Sequence, residues 1–113
     1  MSRSVNVLKK TTFSIAAVTL LALSGVARDK GDAGQGKKVF EQCGVCHDAE
    51  TPETRVGPSL KGLFQHKKLK NSKPVSEANV LDKINTGGGG MPAFADTLSQ
   101  EEKDNLLAYL HTI

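Results

Sequence analysis

Cys43, Cys46 and His47 stand in the run Cys43-Gly44-Val45-Cys46-His47, two thiols three positions apart followed at once by an imidazole. That spacing is the covalent attachment site of a c-type haem. Each thiol can add across one vinyl group of the macrocycle, and the histidine then reaches the iron from the proximal side. Two intervening residues place both thiols on one helical turn, and the histidine must follow directly because the ring is already held against that backbone. The same residues admit other chemistry. A CxxC pair can be a redox disulfide or half of a zinc site. A redox pair of the thioredoxin kind belongs in a βαβ pattern, and none is visible here. A structural zinc site needs about four ligands; with no third cysteine, only His66 and His111 remain as further nitrogen donors.

An iron held by one histidine has a sixth position to fill. Past residue 27 the chain has one methionine, Met91, in the run Gly87-Gly88-Gly89-Gly90-Met91-Pro92-Ala93-Phe94. A thioether is a soft, neutral ligand that raises the iron potential relative to a second histidine. The glycines would let the backbone pass close to a flat ring, and Pro92 restricts the backbone of Met91. A methionine without such a partner motif is more often a core filler. His66 and His111 compete for the same role, with His111 expected on the surface in the last turn of a helix, where the dipole favours it.

Helices must position these groups. Asp32 is a candidate N-cap for a first helix running to about Cys43. Gly36, Val39, Phe40 and Cys43 form its inward stripe, with Lys37, Lys38, Glu41 and Gln42 outward. Leu60, Leu63 and Phe64 make a short apolar cluster. Ser76 starts a second helix with Val80, Leu81 and Ile84 on one side, and Gly87 ends it. Ser99 and Glu102 form a capping box for the last helix. Its apolar face is Leu106, Leu107, Tyr109 and Leu110, with Lys103 on the solvent side. No segment alternates as a strand, so the expected fold is all-α.

The N-terminus has a different character. Arg3, Lys9 and Lys10 precede an apolar stretch over 13–23, broken only by Ser14 and Thr19. Gly25 and Ala27 are small residues at the minus-three and minus-one positions of a cleavage site after Ala27. Residues 1–27 are therefore expected to be a cleaved signal peptide, and 28–113 one small domain exported to the periplasm. The rival is an uncleaved anchor, for which the apolar stretch is short against the roughly 20 residues of a span.

The chain has no tryptophan, one tyrosine and four phenylalanines, a thin core that a covalent macrocycle would supplement. The leader holds three of the 15 basic residues and none of the 12 acidic ones, so the formal charge of +3 belongs to it and the remainder is neutral. Nucleic-acid binding by bulk charge is not supported. The charge is instead polarised. Arg55, Lys61, Lys67, Lys68, Lys70 and Lys73 run without an acid, whereas six acids lie between Glu77 and Asp104. The lysine run is either a solvated surface or a docking patch for an acidic partner.

The chain resembles the class I cytochromes c over the whole of 28–113. The resemblance is carried by Gly31-Asp32, Gly36 and Phe40, the run from Cys43 to His47, and Gly57-Pro58-Ser59-Leu60 with Gly62-Leu63-Phe64. Met91-Pro92-Ala93-Phe94 and Leu106-Leu107-Ala108-Tyr109-Leu110 complete it. It implies one covalent haem c wrapped by three to four short helices, the first and last crossing where Gly36 and Phe40 meet Leu106 and Tyr109. It also implies that the Pro58 carbonyl accepts a hydrogen bond from the His47 imidazole. The long loop and propionate-side tryptophan of larger members are absent, which points to a small bacterial form. With His47 and Met91 on the iron, the chain is expected to carry single electrons between redox proteins and not to be an enzyme. Its donor would be a dehydrogenase or reductase complex, and its acceptor an oxidase or reductase. No nucleic acid is expected, and membranes only through partner complexes. The alternative is a haem sensor or weak peroxidase in which Met91 leaves the iron.

Overall fold

The computed structural model describes residues 30–113, and the expected leader lies outside them. Three helices carry the fold: α1 (Ala33–Phe40), α2 (Glu77–Thr86) and α3 (Gln100–Leu110), with one 3-10 turn at Leu63–Gln65. Among the described residues, β pairing is limited to two isolated bridges, Lys68 with Pro74 and Gly88 with Met91. The all-α expectation holds.

Each helix begins at a side-chain cap. The Asp32 carboxylate accepts the Gln35 N–H at 2.8 Å and the Ser76 hydroxyl accepts the Asn79 N–H at 3.1 Å. Ser99 accepts from the Glu102 N–H at 3.1 Å while the Glu102 carboxylate accepts from the Ser99 N–H at 2.8 Å. These bonds satisfy amides that have no partner inside the helix. Gly87 ends α2 at φ 62°, a left-handed value that suits glycine.

The first helix is shorter than its apolar stripe implies, ending at Phe40 and not Cys43. Beyond Phe40 the hydrogen bonds shorten their reach. Cys43 N–H and Gly44 N–H both donate to the Phe40 carbonyl, at 2.7 and 2.9 Å, and Cys46 N–H and His47 N–H both donate to the Cys43 carbonyl, at 3.1 and 2.9 Å. Shared carbonyls of this kind mark the tightening of a helical end.

The terminal helices cross at close range. A Cβ on Gly36 would overlap the Asn105 carbonyl of α3, so only glycine lets the backbones touch. The Asn105 side-chain oxygen accepts the Asp32 N–H at 2.6 Å. Four residues past Gly36, the Phe40 and Tyr109 rings lie 5.2 Å apart at 52°, within the range favoured by aromatic pairs. Phe40, Leu63, Val80, Ile84, Leu98, Leu106, Leu107 and Leu110 form the buried core.

Lys103 departs from expectation. It is 8% exposed, and its Nζ donates to the Ala95 carbonyl at 2.8 Å. A lysine stem can lie along apolar surface while its ammonium finds an acceptor, and here the acceptor is a loop carbonyl where water was expected.

Candidate haem site

The attachment run lies immediately after α1, in the tightened turns anchored on Phe40. Cys43 and Cys46 are free thiols, both half-buried. Burial raises the Cys43 thiol above its ordinary value, and the neighbouring Cys46 charge adds to the rise. Redox-active CxxC pairs show the opposite displacement.

His47 is fixed from behind. Its Nδ1 lies 2.7 Å from the Pro58 carbonyl oxygen. A carbonyl only accepts, so Nδ1 carries the proton and Nε2 keeps its lone pair, the arrangement that a ligating histidine takes from its outer partners. Gly57 presses on the same ring: a Cβ there would sit 2.5 Å from His47 Cε1 and 2.8 Å from Nδ1. Gly57 N–H also donates to the Cys46 carbonyl at 2.8 Å. The 48–58 loop is thus laced to the attachment turn at both chain and side-chain level.

Asp48 and Arg55 hold that loop, a role that charge patterning did not reveal. The buried Asp48 carboxylate accepts N–H groups of Thr51 at 2.7 Å and Glu50 at 2.8 Å, and pairs with Arg55 Nη2 at 3.0 Å. These donors, the Thr51 and Glu50 amides foremost, hold its carboxyl below the usual range. Arg55 Nη1 donates to the Gly44 carbonyl at 3.2 Å, inside the attachment run. The Asp48-x-x-Thr51 spacing of a side-chain-capped turn was the available signal. Arg55 therefore belongs to this clamp more than to a basic patch, and Lys73 pairs with Asp82 at 2.9 Å. Lys61, Lys67, Lys68 and Lys70 are exposed.

Met91 follows α2 on a separate element. Its backbone exchanges hydrogen bonds with Gly88, and its side chain is half-buried against the core. The two competing nitrogen donors have their Nε2 atoms engaged elsewhere. His66 Nε2 is 3.2 Å from the Lys61 carbonyl, and His111 Nε2 is 2.8 Å from a Glu77 carboxylate oxygen. His111 is exposed, as expected, and its ring also stacks on Phe64 at 3.7 Å.

The residues present fit a haem. Two thiols, an imidazole with a free Nε2 and a thioether match the donor set of a His/Met centre. Leu60, Leu69, Val75, Leu81, Met91 and Phe94 are half-buried apolar side chains packed at the edge of the core, surface that a flat apolar group would cover. Asn85 has one buried side-chain oxygen without a protein partner.

The family model described as cytochrome c oxidase, cbb3-type, subunit III matches residues 31–110. A cytochrome c-553-like protein of Synechocystis is 31% identical over 93 residues, covering 80% of this chain and 78% of that protein. The chain belongs to the class I c-type cytochromes. A second relative, cytochrome c2 of Rhodoplanes tepidamans, is 54% identical over 33 residues, only 29% of this chain and 34% of that protein. The solved cytochrome c6 of the diatom Phaeodactylum tricornutum superposes with a TM-score of 0.58 at 27% identity, over 73% of this chain and 93% of that chain. Membership implies covalent haem c and electron transfer, and makes this cytochrome a carrier, not an enzyme.

Proposed function

We propose that this cytochrome is an exported one-electron carrier whose haem is joined to Cys43 and Cys46 and whose iron is bound by His47 and Met91. The contact between His47 Nδ1 and the Pro58 carbonyl, at 2.7 Å, carries the proposal. It leaves Nε2 as the donor atom and holds the ring in one tautomer. When bound, the haem iron supplies the couple between ferric and ferrous states. Gly57 keeps space for the ring, and the Asp48–Arg55 clamp holds the loop that carries Gly57 and Pro58. Met91 would supply the iron with a neutral thioether, which favours ferrous iron relative to a second imidazole. With His47 and Met91 both bound to it, the iron would offer substrate no open site.

Redox partners are a donor dehydrogenase or reductase complex and an acceptor oxidase or reductase. The exposed Lys61, Lys67, Lys68 and Lys70 are the docking patch for an acidic partner surface. Residues 1–27 direct export to the periplasm and are removed, leaving 28–113 as the working domain. No described helix is long and apolar enough to cross a membrane.

Intact mass after denaturation tests both attachment and processing. Protein from a haem-competent host should begin at Arg28 and exceed its polypeptide mass by one haem. A polypeptide mass alone, or a disulfide between Cys43 and Cys46, contradicts the proposal.

A further inference from the structure

Four consecutive glycines lead into Met91, with φ values of 62°, 106°, 64° and 93° from Gly87 to Gly90. Glycine enters this region without strain, so the covalent chain itself does not favour one loop shape. Packing is uneven: a Cβ on Gly89 or Gly90 would meet nothing within 4 Å, whereas one on Gly87 would overlap the Met91 carbonyl oxygen, so the base of the loop is closed and its tip is free. The loop's own restraint is one narrow pair of hydrogen bonds, Gly88 N–H to the Met91 carbonyl at 2.9 Å and Met91 N–H to the Gly88 carbonyl at 3.2 Å.

Stronger restraint comes from the helices on either side. From α2, Lys83 Nζ donates to the Gly87 carbonyl at 2.8 Å and the Gly88 carbonyl at 3.3 Å. From α3, the buried Lys103 Nζ donates to the Ala95 carbonyl at 2.8 Å. One ammonium grips the chain four residues before Met91 and the other grips it four residues after. Phe94 N–H, donating to the Ile84 carbonyl at 2.9 Å, adds a backbone tie between them.

We propose that Lys83 and Lys103 are positioning residues for Met91: together they hold both ends of its loop and set how readily the thioether leaves the iron. This rests on Met91 as the sixth ligand. For the thioether to withdraw, the loop must move, and movement lengthens charge-assisted bonds, which are stronger than neutral ones. An added ligand takes the sixth position in proportion to the fraction of molecules whose loop has opened.

The test uses the ferric holoprotein with Lys83→Leu, Lys103→Leu and the double variant. Leucine removes the ammonium without adding a second thioether. Imidazole is titrated while the weak red-edge band of thioether-bound ferric iron is followed, and amide exchange is measured at Met91 and Phe94. Each single variant should bind imidazole roughly tenfold more tightly, the order expected when an ammonium tether is lost, one bond at Lys103 and two at Lys83, the second of them long. The double variant should approach a hundredfold if the tethers act independently, with faster exchange at both amides. Lys103→Arg, which keeps a donor, should restore most of the wild-type affinity. Lys37→Leu, on the exposed side of α1, should change nothing.

Phe40→Ala loosens the core at the α1–α3 crossing and removes neither lysine's carbonyl partner. If it raises imidazole affinity as much as the lysine variants at equal loss of global stability, the tethers are overturned. Unchanged imidazole affinity and unchanged exchange in the double variant overturn them as well. A wild-type protein without the red-edge band removes Met91 as ligand instead, and exchange at Met91 and Phe94 still decides whether the lysines hold the loop.

Discussion

The His47 imidazole and the Pro58 carbonyl lie 2.7 Å apart across eleven residues of chain, and Gly57 between them fills no space that the ring needs. The pair behaves as one unit because the intervening loop is tied down at Asp48 and Arg55. Local backbone geometry and the orientation of a functional imidazole are the same problem here.

Gly57→Ala should disturb that unit. The new Cβ would lie 2.5 Å from His47 Cε1, too near for a real carbon contact, so ring or loop must shift. Overpacking of this kind costs roughly 1–3 kcal/mol. Denaturant titration of the holoprotein should show a loss in that range, together with a changed reduction potential. An unaltered potential would mean that the ring does not rest on Gly57.

Phe40→Ala should cost roughly 3–5 kcal/mol, as removal of a buried aromatic usually does. Phe40 is 7% exposed and meets Tyr109 at the helix crossing. The control must be a truly exposed lysine. Lys103 is unsuitable because it is buried with a carbonyl partner. Lys37→Ala should change stability by less than about 0.5 kcal/mol. Equal small losses in both variants, by denaturant titration, would refute the crossing.

Much of this arrangement is legible in the sequence because it is local. The five-residue attachment run, the caps at Asp32, Ser76 and Ser99, and the break at Gly87 are each set by neighbours within a few residues. A glycine on an apolar helical stripe at Gly36 points to close approach of another backbone, and the family resemblance identifies that backbone as the last helix. What escapes is long-range or depends on side-chain reach. Lys103 has the composition of a surface residue, and only the path of the 92–98 loop supplies a carbonyl for it. Arg55 looks like one more positive charge until Asp48 is placed beside it. The end of α1 at Phe40 escapes too, since the apolar stripe continues through Cys43 while the hydrogen bonds have already changed register.

Tyr109 should ionise at a higher pH than a free phenol. Burial is the main cause, and the nearby Glu50 carboxylate adds to it. Tyr109 is the only tyrosine in the chain, so an ultraviolet titration against Tyr109→Phe reports it alone. The folded state holds the phenolic proton more tightly than the unfolded one. Its stabilising effect is therefore full below the unfolded value of about 10 and is lost as pH rises through the folded value. Tyr109→Phe should flatten that part of the alkaline decline. A phenol titrating at or below the ordinary value would contradict the packing described for α3.

Charge reversal of Lys67, Lys68 and Lys70 to glutamate should slow electron transfer with the native partner and leave the visible spectrum unchanged. These three lysines are exposed, and Leu69 N–H to the Lys73 carbonyl at 2.9 Å and Val75 N–H to the Lys67 carbonyl at 3.1 Å hold their turn. Steering by such a patch weakens as the screening length shortens to roughly 10 Å at 0.1 M salt. Stopped-flow rates should fall with added salt in the wild type and lose that dependence in the triple variant. Rates that ignore both salt and the reversal would make the lysines a solubilising surface only.

Ligation of the iron by His47 and Met91 is tested most directly by the visible absorption of wild type and Met91→Ala, with and without carbon monoxide. Wild type should show sharp low-spin bands that carbon monoxide leaves unchanged in the ferrous state, and the weak red-edge band in the ferric state. Met91→Ala should lose that band and bind carbon monoxide. A wild type with no visible absorption, or a Met91→Ala variant that keeps the band and still excludes carbon monoxide, would contradict it.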